Sequence, residues 1–154
     1  MGNNFQILFD LVGELARRRY QAAEKSFASL GLNHTEARLL ALLQQNRGSA
    51  GQDELSAMLS VDRTNAGRAL QRLELSGYIA RRKDDIDKRA KVVRLTERGR
   101  RVVGEIGKRR TKMVQGFFGV LTQHEAGVVA ELLKKALTDE AEQTSSAAAS
   151  NGPS

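Results

Sequence analysis

The chain has 154 residues, 40% of them apolar, enough to bury a real core in one compact body with an appended tail. It contains no cysteine, which excludes disulfides, thiolate metal sites and thiol redox chemistry. Its formal charge of +7 is unevenly placed: residues 60–112 hold 17 lysines and arginines against 7 acids, whereas basic and acidic residues balance before that block and acids prevail after it. A basic block this concentrated is the electrostatic footprint of a phosphate-binding surface; on charge alone, a solvated helix face is the competing reading.

Residues 5–30 place Phe5, Leu8, Val12, Leu15, Ala23, Phe27 and Leu30 at steps of three or four with one gap, one stripe of a long amphipathic helix. Phe9, Leu11 and Ala16 add a second stripe. The helix is therefore apolar on more than one face, and something beyond its own domain is expected to cover it. Asp10 and Glu14 interrupt the apolar run, so this segment does not read as a signal peptide, and a cytoplasmic protein without a membrane partner is expected. No stretch approaches the ~18 apolar residues of a membrane span.

Gly31 stops the first helix, and Asn33 with Glu36 reads as a capping box opening a second one through Leu39, Leu40, Leu42 and Leu43. A Gly/Ser break at Gly48, Ser49 and Gly51 precedes a short helix, Gln52–Leu59. Asp62 then caps a helix over residues 63–76 that should bury Ala66, Ala69, Leu70 and Leu73 and turn Arg63, Thr64, Asn65, Arg68 and Arg72 outward. Beyond Gly77, residues 78–83 and the valine-bearing Lys91–Leu95 read as strands flanking the polar stretch 84–90, a β-hairpin with a charged tip. Thr96 caps a long helix with the stripe Val102, Val103, Ile106, Met113, Val114 and Phe117. A box of Thr122 and Glu125 opens the last helix, with Val128, Val129, Leu132, Leu133 and Leu137 inward. Residues 143–154 have the composition of a disordered tail.

A short helix, a tight connection at residues 60–62 and a second helix with a basic, polar outer face compose a helix-turn-helix. The residue types suit the work: an α-helix fits the major groove, Arg donates two bonds to guanine and Asn pairs bidentately with adenine. The hairpin sharpens this, because Arg81, Arg82, Lys83, Lys88, Arg89, Lys91 and Arg94 crowd seven cations onto one two-stranded element. Such a density repels itself without an anionic partner, and a narrow minor groove attracts an inserted Arg. Asp84, Asp85 and Asp87 sit among these cations. Their roles are either turn chemistry or the holding of an Arg in a fixed pose.

The run from Gly77 through Tyr-Ile-Ala-Arg-Arg-Lys-Asp-Asp-Ile-Asp-Lys-Arg-Ala-Lys-Val-Val-Arg-Leu-Thr-Glu-Arg to Gly99 resembles the wing signature of MarR-family regulators. In that signature a Gly and two apolar residues lead into a basic strand. The tip follows as Asp87-x-Arg89-Ala90, and the second strand ends Leu95-Thr96-x-x-Gly99. Glu54-Leu55, Val61-Asp62, Leu73-Glu74 and Gly77 also fit the family's helix-turn-helix, and the resemblance covers residues 5–140.

The resemblance implies a mainly α fold with a small β-hairpin wing. In it, residues 33–96 form the winged helix-turn-helix lobe, and 5–31 with 97–140 form a helical dimerisation region. It further implies a homodimer on a pseudopalindromic double-stranded operator, usually as a repressor, released by a small, often aromatic or anionic, effector. Carried over by position, Thr64, Asn65 and Arg68 face the major groove, joined by Arg63 and Arg72 on the same helix. Arg81, Arg82, Asp87, Lys88 and Arg89 make up the wing site, with Arg89 entering the minor groove and Asp87 orienting it. The effector pocket, placed between the dimerisation helices and the lobe, draws attention to Phe9, Arg17, Tyr20, Arg38 and Met113, for each of which core packing or solvation is the competing role.

Gly67 departs from the pattern, lying mid-way along the recognition helix at a cost of ~1 kcal/mol relative to Ala. It either lets the backbone approach DNA closely or is a tolerated weakness. Against an enzyme stand two isolated histidines, His34 and His124, and no phosphate-cradling Gly loop or nucleophile elbow; no cofactor or metal is expected. The remaining alternative is an architectural DNA-binding protein without an effector, which charge and wing fit equally.

Overall fold

The computed structural model describes residues 2–149, and the side-chain surroundings of residues 2–138. The chain forms two compact units, Met1–Met113 and Val114–Ser154. In the first, helix α1 (Asn4–Ala28) opens where the Asn3 side chain accepts the Phe5 N–H. Only its C-terminal part joins the core, through Ala23 and Phe27, whereas Phe5, Leu8, Phe9, Leu11, Val12 and Leu15 are exposed. Helix α2 (His34–Gln45) has the expected box: the Glu36 N–H donates to Asn33 Oδ1 at 2.8 Å, and the Asn33 N–H donates to Glu36 Oε2 at 3.0 Å. Its Leu39, Leu40 and Leu43 are fully buried and form the centre of the core with Leu55, Leu70, Leu73 and Val93.

The Gly/Ser break is also a strand, β1 (Ser49–Gly51). Helix α3 (Gln52–Leu59) follows, then Ser60 in the left-handed region at φ 55°, then helix α4 (Arg63–Leu75). Strands β2 (Ile79–Lys83) and β3 (Lys91–Leu95) complete an antiparallel sheet of order β1-β3-β2. The hairpin is thus part of a three-stranded sheet, with Ser49 opposite Arg94 and Ile79 opposite Leu95. Three residues beside glycines carry no readable alternation; β1 exists because β3 offers it a ladder. The buried side of α4 is Ala66, Ala69, Leu70 and Leu73, as expected.

A compact knot joins α4, the sheet and helix α5 (Glu97–Phe118). Gly77 takes φ +77°, its N–H donates to the Glu74 carbonyl and the Tyr78 N–H to the Leu73 carbonyl, the pairing of a Schellman stop. The Thr96 hydroxyl donates to the Gly77 carbonyl at 2.6 Å and accepts the Gly99 N–H at 3.0 Å. A Cβ on Gly99 would overlap the Tyr78 carbonyl oxygen. The Leu-Thr-x-x-Gly ending of the wing is therefore a packing requirement: it lets α5 start against the end of α4. Val102 and Ile106 of α5 then enter the core.

In the second unit, helix α6 (Gln123–Ala149) opens on the expected box, with the Thr122 N–H donating to Glu125 Oε2 at 2.8 Å and the Glu125 N–H to Thr122 Oγ1 at 3.2 Å. Two expectations need correction. Val128, Val129, Leu132, Leu133 and Leu137 are not inward within this chain but exposed; periodicity marks an apolar stripe without saying which chain covers it. Residues 143–149 continue the helix, Gln143 and three alanines favouring it once the preceding turns exist, while residues 150–154 of the expected tail lie outside the described residues. No helix among the described residues is long and apolar enough to cross a membrane.

Candidate nucleic-acid interface

Helix α4 buries one side against α2 and α3 and leaves the opposite side to solvent. Thr64 and Arg68 stand on that open side, and Gln71 continues their spacing. Gln71 is marked in the sequence only by the i, i+4, i+7 progression from Thr64. Arg63 is 82% exposed and only loosely paired, its Nε 3.6 Å from Asp53 Oδ1, an exposed contact worth little. Asp62 caps the helix through the Asn65 N–H at 2.9 Å and also accepts from the Asn65 side-chain amide at 2.6 Å. The first of these bonds holds the Asp62 carboxyl below its ordinary range. Asn65 must exchange its side-chain bond to read a base.

The wing splits its cations by strand alternation. Arg82, Lys83, Lys88, Arg89, Lys91 and Arg94 are exposed. Asp84 Oδ1 accepts the N–H groups of Ile86 and Asp87, which lower its carboxyl pKa. Asp87 Oδ1 accepts the Arg89 N–H at 3.0 Å, and the Ala90 N–H closes on the Asp87 carbonyl. Asp87 therefore orients Arg89 through the backbone by turn chemistry. Among the described residues no ion pair joins its carboxylate to the Arg89 guanidinium.

One of the expected DNA-facing cations, Arg81, is engaged elsewhere, and a second, Arg72, makes one contact within the protein while staying 69% exposed. Arg81 lies opposite Val93 in the register, on the strand face that Ile79 buries, and its side chain is only 16% exposed. Its Nη2 donates to Glu74 Oε1 at 3.1 Å, its backbone N–H to Glu74 Oε2 at 3.2 Å and its Nη1 to Gln52 Oε1 at 3.4 Å. Arg81 is thus a tie between β2, α4 and α3. The Arg81 hydrogen bond is the main reason that the Glu74 carboxyl lies below its ordinary range. Arg72 turns toward Glu36, whose carboxylate is almost fully buried, with 3.4 Å between Nη1 and Oε1. Counting cations could not separate these two from their neighbours, because their partners, Glu74 and Gln52 for Arg81 and Glu36 for Arg72, meet them only through folding.

Phe9, Arg17, Tyr20, Arg38 and Met113 line neither the cleft beside the end of α4 nor the one along α6. Phe9 and Tyr20 are exposed, Arg17 pairs with Glu14 at 2.7 Å, Arg38 is exposed and Met113 packs partly against the core. Tyr20 meets His34 edge-on at 5.4 Å. Burial first, then Arg38 and Arg19, push the His34 pKa below its usual value. One open cleft of about 510 Å³ lies beside the end of α4, lined by Leu32, Glu36, Arg72 and Leu75 among others. Another lies along α6, beside His124 and Leu132.

A recognition helix packed at its back, tied to a two-stranded cationic wing, defines a winged helix-turn-helix DNA-binding transcription regulator. The MarR family model matches residues 32–91. The chain is 31% identical over 122 residues to the transcriptional repressor MprA of Escherichia coli K12, across 77% of this chain and 69% of that protein. It resembles the solved MarR protein of Peptoclostridium difficile with a TM-score of 0.80 and 26% identity, covering 93% and 91% of the two chains. It shares its fold with an Escherichia coli MarR mutant solved with operator DNA, at a TM-score of 0.77 and 24% identity over 88% of this chain and 95% of that one. The protein belongs to the MarR family.

Proposed function

We propose that this MarR-family regulator is a homodimeric cytoplasmic repressor of a pseudopalindromic operator, released by a small aromatic or anionic molecule. Each protomer seats α4 in the major groove through Arg63, Thr64, Asn65 and Arg68, and sets its wing in the adjacent minor groove through Arg82, Lys88 and Arg89. The observation that carries the reading is the wing itself: exposed cations on a tip whose backbone Asp84 and Asp87 hold in place. Dimerisation is supported by the apolar residues left uncovered on α1 and on α6, including Phe5 at 83% and Leu132 at 63% exposure. Interfaces of this kind bury ~2,000 Å² or more. Two-fold symmetry would set the recognition helices about one DNA turn, ~34 Å, apart. A chain without cysteine leaves reversible binding, not thiol oxidation, as the means of release.

Titration of Arg89→Ala and Asp87→Ala on one bound duplex at several salt concentrations tests the wing. Arg89→Ala is expected to weaken binding by ~1–3 kcal/mol per half-site with a shallower salt dependence. Asp87→Ala is expected to weaken it too, although it removes a negative charge, because the Arg89 backbone loses its anchor. Unchanged affinity for Arg89→Ala refutes the seating of the wing, and a folded monomer in sedimentation at low micromolar concentration refutes the dimer.

A further inference from the structure

At the apex of the wing, between Asp85 and Asp87, stands Ile86, with 98% of its surface exposed. Neither local structure nor the core accounts for an isoleucine here. Turns favour Gly, Asn, Asp, Ser and Pro, and a β-branched side chain gains nothing in one. The residue also lies outside the core cluster and the side chains packed on it. Its backbone is nevertheless fixed. Asp84 Oδ1 accepts the Ile86 N–H at 2.8 Å and the Asp87 N–H at 3.3 Å, and the Asp84 N–H closes on the Ala90 carbonyl at 3.0 Å. The isoleucine is therefore presented rather than loosely carried. Lys83, Lys88 and Arg89 are exposed around it, while Asp84 and Asp87 spend carboxylate oxygens on the turn's own N–H groups. An apolar apex with Lys83, Lys88 and Arg89 exposed about it, and with Asp85 the one flanking acid that takes no turn N–H among the described residues, complements a surface with anionic rims and apolar deoxyribose walls, which is the minor groove of a duplex.

Resting on the wing seating proposed above, we infer that Ile86 is a specificity-determining residue: it packs into the minor groove beside Arg89 and selects A·T over G·C pairs beneath the wing. The chemistry is one of exclusion. In the minor groove A·T and T·A present only acceptors, whereas G·C adds the guanine amino donor. Isoleucine can accept no hydrogen bond, so an amino group beneath it is stripped of water and left unpaired. Arg89, a pure donor, cannot satisfy that group either. The pair thus enforces one answer by two means: Arg89 through the potential of a narrow groove, Ile86 through a buried donor it cannot match.

The test uses the full chain and a duplex that the wild type selects from random-sequence DNA. Replacing adenine beneath the wings by 2,6-diaminopurine adds the minor-groove amino group and leaves the major-groove edge as it was. Wild type should lose about tenfold in affinity per wing on the substituted duplex. Ile86→Ala should bind the original duplex about fivefold more weakly, as half-burial of an isoleucine requires. Its salt dependence should equal that of wild type, because no phosphate contact is lost. Ile86→Asn, whose amide oxygen can accept from the added amino group, should largely lose the diaminopurine penalty. Thermal unfolding equal to wild type shows that both variants fold. If wild type selects no duplex, the DNA-seating reading and this inference fall together. If wild type binds but all three proteins show the same diaminopurine penalty, or none, the inference alone is overturned.

Discussion

Arg81 and Arg82 are adjacent cations on one strand, and the structure gives them opposite work. Removing the Arg81 side chain breaks the tie to Glu74 and Gln52 and leaves the Glu74 carboxylate, 39% exposed, to regain water. Exposed pairs contribute ~0–1 kcal/mol and broken buried pairs cost about 3–5 kcal/mol. A pair with one end 16% and the other 39% exposed falls between these limits. Arg81 Nε is buried without a partner, which lowers the net value of the tie. Arg81→Ala should therefore destabilise the protein by about 2 kcal/mol, a fall in Tm of about 4–8 °C for a chain of this size. Arg82→Ala, on the exposed strand face, should change stability by about 0.5 kcal/mol or less. Urea denaturation and DNA titration against salt read both sides of the contrast. Arg82→Ala should reduce the slope of log affinity against log salt by about one per wing; Arg81→Ala should leave the slope unchanged even where affinity falls. A shallower slope for Arg81→Ala, with unfolding like wild type, would refute the assignment of Arg81 as a tie.

Gly99→Ala should cost about 3 kcal/mol in urea denaturation, since its Cβ meets the Tyr78 backbone rather than a yielding side chain; a neutral variant would contradict the knot at the base of the wing. Gly67 has nothing of its own chain near an added Cβ, so Gly67→Ala should raise stability by up to ~1 kcal/mol. Lower affinity for DNA in that more stable variant would identify close backbone approach as the reason for glycine, whereas any loss of stability would contradict the open space. Asp62 is held below its ordinary carboxyl pKa of 3.8 by the Asn65 N–H. The stability this lends is complete above that ordinary value and is lost as pH falls through the lower folded value. Asp62→Asn keeps a good cap and should flatten the acid limb of the stability–pH curve; an unchanged acid limb would show that the cap does not carry the dependence.

Most of the secondary structure was legible because it rests on local physics. The boxes Asn33–Glu36 and Thr122–Glu125, the Asp62 cap and the buried face of α4 are decided within four residues of themselves, and the structure places them as the periodicity predicts. The wing motif was legible as well, but its aspartates were readable either as turn formers or as holders of an Arg, and the structure puts Asp84 and Asp87 on backbone N–H groups. Strand β1 was not, because three residues next to glycines become a strand only when Lys91–Leu95 arrives beside them. Nor could composition tell Arg81 from Arg82, or Arg72 from Arg68: partners in Glu74, Gln52 and Glu36 come together only through folding, and they decide which cations the protein itself engages. The same holds for the apolar stripes. Spacing determined that α1 and α6 each carry one, but exposure in the folded chain decided that much of α1 and the stripe of α6 stay uncovered, because burial belongs to contacts between elements and between chains, not to the order of residues in one helix.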